Sequence, residues 1–263
     1  MNVKGTMMAG VACVLLLAAM VSASRTRPMS LGHNERPEAG GGFVFTMTNQ
    51  TAGNTVYAYA RNTNGTLKLL DSFPTMGNGS GADLNSQGAL LYLPNDKELF
   101  VCNAGSQTIT SFTMGSGTLT YAGTTSAIGR FPKSLTSFKN VLFVLNQGTL
   151  PWPTINGFTM GSKGSLTPIA GATGTLYQAS ASEPVQVGFT PSGAQIVTTQ
   201  QKINEIGVFS VNANGTLEPA VYSASHDPGP FGFTFDQNGN LDSTEGTNST
   251  NGQAHMRFRA TAH

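Results

Sequence analysis

Four charged positions in this chain have the side chains that acid–base chemistry on a small anionic molecule requires. Arg130 and Lys133 offer two neighbouring positive groups that can hold a carboxylate or a phosphate. Glu183 can activate a water molecule, and His226, which is followed by Asp227, can donate or accept a proton near neutral pH. Each position also has a structural interpretation: the cations as solvated loop charges, Glu183 as an acceptor for backbone amides, and His226 as a turn residue.

Other kinds of chemistry have less support in the sequence. Trp152 lies between two prolines and can stack on a sugar or another ligand, although packing of its own loop explains it equally well. Residues 236–242 alternate acidic and amide side chains as a calcium loop does, but Leu241 and Thr247 occupy the positions that require glycine and glutamate. The sequence contains no Cys-x-x-Cys, His-Glu-x-x-His or Gly-x-Ser-x-Gly motif. We therefore expect no metal ion and no cofactor.

The elements that must position these side chains follow from an internal repeat. Four strand-like segments end in an aromatic residue, and a Gly-Thr-Leu or Gly-Ser-Leu tripeptide follows each of them. The aromatic residues are Tyr59, Phe112, Phe158 and Phe209, and the tripeptides end at Leu67, Leu119, Leu166 and Leu217. These leucines lie 52, 47 and 51 residues apart. A period of this length, built from short strands and glycine turns, indicates an all-β β-propeller with four-stranded antiparallel blades.

Each repeat divides into four strands, which gives about four blades and part of a fifth. First strands are predicted at residues 89–93, 134–138, 185–189 and 231–235, and the more apolar second strands at 43–47, 99–102, 141–145 and 195–199. The third strand ends at the repeated aromatic residue, and the fourth begins at the Gly-x-Leu tripeptide. The first blade lacks its own first strand.

Loop lengths distinguish the two faces of the predicted disc. Tight turns rich in asparagine and glycine join strands one to two and three to four, so they share one face. The longer connections at residues 75–88, 146–153, 200–204 and 223–229 then form the opposite face. Because long loops on a rigid scaffold usually carry function, we expect the site on that face.

The chain also divides into regions by composition. Residues 1–23 combine one lysine with a short apolar run and small residues, which predicts a secretory signal peptide. Residues 24–42 are predicted as a linker, 43–241 as the propeller blades and 242–263 as a polar, disordered tail. Without Lys4 the chain has 13 basic and 13 acidic residues, a balance that predicts neither a nucleic-acid partner nor membrane binding after signal cleavage. We expect a secreted protein, extracellular or periplasmic.

Several short segments are similar to those of one known family. They are Met47-Thr48-Asn49, Ser86-Gln87-Gly88-Ala89-Leu90, Val101-Cys102-Asn103-Ala104-Gly105-Ser106, Val144-Leu145-Asn146, Glu183-Pro184-Val185-Gln186-Val187 and Pro230-Phe231-Gly232-Phe233. With these segments the chain resembles the lactonase-type seven-bladed β-propeller family, which includes 6-phosphogluconolactonases and carboxymuconate-lactonising (cyclase) enzymes. The resemblance covers residues 43–241, roughly four-sevenths of seven blades, so the chain looks truncated.

The resemblance implies charged and polar side chains that converge near the disc centre or on its loop face. On this basis the expected catalytic residues, which would move the proton, are Glu183 and His226. The expected substrate-binding residues, with the two cations anchoring an anion, are Gln87, Arg130, Lys133, Trp152 and Gln186. The implied activity is hydrolysis of a carboxylated or phosphorylated lactone, or the reverse reaction, cycloisomerisation.

Two alternatives to an enzyme stay open. The same face can serve a non-catalytic extracellular module that binds a ligand or a protein, or the chain can be an inactive truncated paralogue. An incomplete propeller also leaves apolar inner strands and strand edges uncovered. Self-association through these open blade edges is therefore expected.

Overall fold

The computed structural model describes residues 42–148, 153–177 and 182–246, together with the backbone of residues 254–258. All of them belong to one compact unit, Glu38–His263. Apart from two 3-10 turns, Ser162–Gly164 and Gln201–Ile203, the regular structure of the described chain is β-strand. None of its helical turns is long and apolar enough to cross a membrane. The predicted all-β fold is thus confirmed.

Eighteen described strands form five antiparallel sheets that follow one another along the chain. Sheet 1 contains β1 (Phe43–Met47), β2 (Thr55–Arg61) and β3 (Leu67–Pro74). Sheet 2 contains β4 (Leu90–Leu93), β5 (Glu98–Asn103), β6 (Thr108–Gly115) and β7 (Thr118–Ser126). Sheet 3 contains β8 (Pro132–Phe138), β9 (Val141–Asn146), β10 (Thr154–Met160) and β11 (Leu166–Thr175). Sheet 4 contains β12 (Pro184–Phe189), β13 (Gln195–Gln200), β14 (Glu205–Ser210) and β15 (Val221–Ala224). Sheet 5 contains β16 (Pro230–Phe235), β17 (Leu241–Glu245) and β18 (Ala254–Phe258).

The order of strands within each sheet is the order of a propeller blade. Strands pair with their neighbours in sequence, so every sheet is a meander, and among the described strands no sheet closes on itself. The predicted first strands of four blades correspond to β4, β8, β12 and β16. Sheet 1 has three strands and lacks a first strand, as predicted from its sequence.

The structure differs from the predicted strands in the last two sheets. The fourth strand of sheet 4 begins at Val221 rather than at the Gly-Thr-Leu tripeptide, where Leu217 makes only an isolated bridge to Val211. Pro219 lies between them and has no amide hydrogen for the ladder, which explains the late start.

The range predicted as a polar tail contributes most of two strands to sheet 5. Strand β17 pairs with β16 on one side and with β18 on the other. Leu241, Ser243 and Glu245 alternate towards the interior. A strand that buries only one apolar side chain gives a weak pattern, so the sequence did not reveal it.

The hydrophobic core lies between successive sheets. Phe100 and Ile109 of sheet 2 pack in one cluster with Leu142 and Phe158 of sheet 3, and similar clusters join sheets 1 and 2, 3 and 4, and 4 and 5. The second strands β5, β9 and β13 are buried almost throughout, as their apolar sequences predicted. The corresponding strand β1 is only partly buried.

Side-chain hydrogen bonds join the first strands of neighbouring sheets. Hydroxyls of Ser134 and Thr136 on β8 accept hydrogen bonds from backbone amides of β12, at 3.1 and 3.0 Å. The Gln186 amide on β12 both donates to the Phe233 carbonyl and accepts from the Phe233 amide on β16. These bonds therefore join the first strands of sheets 3, 4 and 5 directly to one another.

The connection between sheets 1 and 2 reaches well beyond those two sheets. The backbone amide of Gln87 donates to the Val185 carbonyl of sheet 4, and the Gly88 carbonyl accepts from Leu135 of sheet 3. This connection therefore brings residues from the first repeat to the start of the fourth blade.

Candidate active site

A cleft of about 650 Å³ lies where the long connections of sheets 1, 3, 4 and 5 meet. Its lining residues are mostly polar or charged, and all but Glu183 and Gly246 come from connections that the loop lengths assigned to the functional face. They are Asp83, Asn85, Glu183, Gln201, Lys202, Asn204, Pro228, Gly229 and Gly246. The cleft thus collects side chains from segments far apart in sequence on the face predicted for function.

Glu183 is held in this cleft by two donors from different loops. The Asn85 amide donates to Oε1 of Glu183 at 3.0 Å and also to the Gln201 side-chain oxygen at 2.8 Å. The Lys202 ammonium lies 3.0 Å from Oε2 of Glu183. Glu183 itself has a positive φ of 43°, an uncommon conformation for a residue with a side chain. Backbone and side chain together therefore fix the direction of its carboxylate.

The surroundings of Glu183 favour its ionised form. Partial burial acts to raise the pKa of Glu183, but the hydrogen bonds from Lys202 and Asn85 and the charges of Lys202 and Lys133 outweigh it. The net result is a pKa below the ordinary value for glutamate. At neutral pH the side chain is a carboxylate that can accept a proton.

Lys133 is a buried cation behind this carboxylate. The residue is fully buried on β8, and its ammonium donates to the Gln147 side-chain oxygen at 3.0 Å. Burial lowers the pKa of Lys133 to about 8, and the negative charges of Glu183 and Asp83 oppose that shift. Lys133 therefore carries a positive charge near neutrality that it can lose under mildly alkaline conditions.

Arg130 lines a second cleft, of about 600 Å³, that shares Gln147 with the Lys133 contact. The other lining residues come from the turn between β1 and β2, the connection after β3, the segments that follow β5 and β9, and the residue before β8. They are Thr51, Asn78, Gly79, Ser80, Ala104, Gly105, Gln107, Phe131 and Gly148. Gly105 is required at this place, because a Cβ there would lie 2.1 Å from the Gly79 carbonyl oxygen. Gln147 thus connects the guanidinium cleft with the buried lysine.

The structure brings together some of the residues predicted for the site and separates others. Glu183 and Lys133 act on each other electrostatically, and Arg130 lies in the second cleft. Gln186 is occupied with the backbone of Phe233, and Gln87 contacts the first strands through its backbone. Trp152 lies outside the described residues.

His226 lies beside the Glu183 cleft but not among its lining residues. Its side chain is 74% exposed, and its Nδ1 lies 3.3 Å from Oδ2 of Asp227. Atoms of His226, Asp227 and Glu245 that could bind a metal ion all lie within 4.8 Å of one another. Glu245 is buried and accepts hydrogen bonds from the Ser225 hydroxyl and the Asp227 amide.

Four polar residues that contribute to the site were missed at the level of the sequence: Asn85, Gln147, Gln201 and Lys202. All four lie in long connections that the loop lengths placed on the functional face, so the signal was present for the loops. No local pattern distinguishes these side chains from other loop residues, because their partners lie in other segments. Asn85 contacts Gln201, 116 residues away, and Gln147 contacts Lys133, 14 residues away.

Comparison with known proteins agrees with the architecture. Residues 38–150 match the family described as Lactonase, 7-bladed beta-propeller. A search of curated proteins gives no match.

Solved structures extend the likeness beyond the matched residues. A candidate 6-phosphogluconolactonase from Bacteroides fragilis superposes with a TM-score of 0.61 at 20% identity, over 84% of this chain and 68% of that protein. A protein from Lactobacillus plantarum gives a TM-score of 0.60 at 13% identity, over 82% of this chain and 67% of that protein. The periplasmic gluconolactonase of Pseudomonas aeruginosa gives 0.55 at 17% identity, over 82% of this chain and 66% of that protein. These likenesses and the matched family confirm the resemblance of this chain to the lactonase-type β-propeller family.

Proposed function

We propose that this protein hydrolyses the lactone ring of a carboxylated or phosphorylated small molecule on its loop face. The observation that carries the proposal is the Glu183 carboxylate, oriented by Asn85 and Lys202 in a polar cleft with the buried Lys133 behind it. Lactonase-type propellers and a gluconolactonase among the similar structures support the reaction class. The polar lining and two lysines support an anionic substrate.

In the proposed reaction Glu183 accepts a proton from a water molecule as the water oxygen bonds to the lactone carbonyl carbon. The carbonyl oxygen becomes an oxyanion, which the ammonium of Lys202 on the wall of the cleft stabilises. The ring carbon–oxygen bond then breaks, the departing oxygen takes up the proton, and a hydroxy acid is released. Because its pKa is lowered, the Glu183 carboxylate is ionised at neutral pH but is a weak base. A reactive lactone carbonyl therefore suits it better than an unstrained ester.

Arg130 has the role of anchoring the substrate's anionic group. Its cleft includes Gln147, which accepts a hydrogen bond from the buried Lys133 that also acts on Glu183. This link supports an anchoring role for Arg130 in the same site. The reverse reaction, cycloisomerisation of a carboxylated substrate, would use the same anchoring group. We assign the proton transfer to Glu183 in preference to His226, because His226 is exposed and does not line the cleft.

The alternative, a non-catalytic binding module, is favoured by one feature of the same cluster. Glu183 is already paired with Lys202, and fully paired ion clusters often have only a structural role. An inactive paralogue would keep the same cluster without turnover. The cleft would then hold an acidic sugar or a similar polar ligand without changing it.

Turnover on a panel of lactones distinguishes these functions. We expect hydrolysis by the wild type, a loss in kcat of about 100-fold or more in Glu183→Gln, and a raised KM in Arg130→Ala. Glu218→Gln, which changes an exposed glutamate on the rim of sheet 4, is the matched control and should retain activity. The catalytic proposal fails if the wild type shows no turnover above buffer or if both site variants match it. Binding of the hydroxy acid without turnover would then favour the binding module.

We also propose that the protein is secreted after cleavage near Ser24. The support comes from the sequence of residues 1–23 and from a periplasmic protein among the similar structures. Mass spectrometry of the protein recovered from its native compartment should give a chain that starts close to residue 24. A chain found in the cytoplasm with residues 1–23 intact would contradict secretion.

A further inference from the structure

We propose that His226, Asp227 and Glu245 form a binding site for a divalent transition-metal ion such as Zn²⁺. One imidazole nitrogen and two carboxylate oxygens lie within 4.8 Å of one another. Two ligand atoms that bind the same ion at about 2.0–2.2 Å lie at most about 4.4 Å apart. The exposed side chains of His226 and Asp227 therefore need only a small rotation to bring all three atoms within range of one ion. The donor set of nitrogen with carboxylate oxygen suits Zn²⁺ or a similar ion better than Ca²⁺, which prefers oxygen ligands alone.

The buried carboxylate of Glu245 gives an independent reason to expect a cation. Glu245 is only 3% exposed, and the two groups that donate hydrogen bonds to it among the described residues, the Ser225 hydroxyl and the Asp227 backbone amide, are both neutral. Each oxygen accepts one of these bonds, so each retains a lone pair for another partner. Burying a carboxylate without a positive charge is costly, and a metal ion between it and His226 would supply that charge.

The loop that carries two of the three ligands is fixed at both ends by one residue. The Asn204 carbonyl accepts from the Ser225 amide at 2.7 Å, and the Asn204 side-chain oxygen accepts from the Gly229 amide at 2.8 Å. Gly246, which directly follows the third ligand, donates to the Gly229 carbonyl. The loop and the end of β17 are therefore held in a fixed relation, as a metal site requires.

Exposure indicates where the remaining ligands would come from. His226 is 74% exposed and Asp227 50% exposed, so water can complete the coordination of the ion. Pro228, Gly229 and Gly246 also line the Glu183 cleft, which places the metal site at its border. Metal binding can be measured without turnover, so the site stands or fails separately from the lactonase proposal.

Isothermal titration calorimetry of the chelator-treated full-length protein with ZnCl₂ tests the site. We expect one Zn²⁺ per chain in the wild type and an affinity lowered by more than about tenfold in His226→Ala and in Asp227→Asn. Zn²⁺ should also raise the thermal unfolding temperature of the wild type but not that of His226→Ala. His226 is largely exposed, so its substitution leaves the fold intact.

Asp96→Asn is the matched control, because it removes one exposed acidic charge in the hairpin between β4 and β5. It should bind Zn²⁺ as the wild type does. Failure of the wild type to bind Zn²⁺, or equal affinity in the wild type, His226→Ala and Asp227→Asn, would overturn the proposal. Glu245→Gln, which keeps the size of the buried side chain, should lose affinity too if the protein remains folded.

Discussion

At the scale of single residues, Lys133 is the least expected feature of the molecule. Its side chain is fully buried, yet its pKa of about 8 leaves it charged at neutral pH. Its charge interacts favourably with Glu183 and Asp83, but burial remains the largest influence on its pKa. A buried charge of this kind costs stability and is more often retained for function than for folding.

Replacement of Lys133 by an apolar residue should therefore stabilise the fold. We expect Lys133→Met to raise the free energy of unfolding at pH 7 by about 1–3 kcal/mol and to abolish lactone turnover. The folded-state pKa lies below the ordinary value, so below pH 8 the folded wild type bears the full cost of the charge. As the pH rises from 8 towards the ordinary lysine value of 10.5, that cost falls progressively, because the folded state loses the proton that the unfolded state keeps. Urea unfolding at pH 9.5 should therefore show a smaller difference in unfolding free energy between variant and wild type. Lys68→Met, on an exposed strand, is the control; a Lys133→Met protein less stable than wild type at pH 7 would refute the argument.

Lys202 should control the protonation of Glu183. Since Lys202 lowers the pKa of Glu183, Lys202→Gln should raise it. The active carboxylate would then become protonated at higher pH, and the acidic limb of the kcat/KM profile should move upward. NMR titration of the Glu183 carboxyl group measures the same change without turnover. An unchanged titration would show that Lys202 does not act on this carboxylate.

At the scale of elements, a buried polar residue ends the same strand in four of the five sheets. These residues are Asn103, Asn146, Gln200 and Glu245, at the ends of β5, β9, β13 and β17. Asn103, Asn146 and Glu245 form hydrogen bonds with the segment that precedes their own sheet. In sheets 2, 3 and 5 this position therefore fixes the start of the sheet by directional bonds, which apolar packing alone does not supply.

Removal of one such link should destabilise the protein strongly. Asn103 accepts from the Thr75 hydroxyl at 2.7 Å and donates to the Thr110 hydroxyl at 2.9 Å, all within the buried boundary of sheets 1 and 2. We expect Asn103→Ala to lower the free energy of unfolding by about 2 kcal/mol or more, because buried polar groups lose their partners. Chemical denaturation measures this loss. Asn238→Ala, in an exposed turn, should change it by less than about 0.5 kcal/mol, and equal effects of the two substitutions would contradict the role of the link.

A second repeated feature is a register shift between the third and fourth strands of a blade. The pairs β2–β3, β6–β7 and β10–β11 each contain a register shift next to the repeated aromatic residue. Such irregularities twist an edge strand and make it a poor template for another strand. In sheet 4 no shift occurs, and the fourth strand there is short.

At the scale of the whole molecule, the first sheet carries a group of exposed apolar side chains. Strand β3 is exposed along nearly its whole length, and its Leu67, Leu69 and Leu70 present apolar surface. Phe43 of β1 is also exposed. An exposed apolar group of this kind favours contact with another protein surface. We propose that this sheet mediates self-association of the chain.

Self-association should therefore depend on concentration and on the apolar residues of β3. Sedimentation velocity is expected to show larger species at high protein concentration for the wild type and mostly monomer for Leu69→Lys. Val221→Lys, which changes a similarly exposed residue on β15, is the matched control and should behave as the wild type. A wild type that remains monomeric at every concentration would argue against self-association.

The sequence alone determined the repeat, the turns and most of the strands. These features depend on local chemistry: glycine and asparagine at turns, and apolar residues at the period of a strand, act within a few positions of each other. Strand β18 and the late start of β15 escaped prediction because neighbouring strands and a single proline decide them.

Only the tertiary structure decided which polar side chains meet. Asn85 and Glu183 are 98 residues apart, and their contact exists because the connection from the first blade reaches the start of the fourth. In the same way, the sequence predicted Arg130 and Lys133 as two neighbouring cations that hold an anion. Packing buried Lys133 and left Arg130 exposed. Contacts between distant repeats depend on how blades are arranged around a centre, which no short segment of the chain encodes.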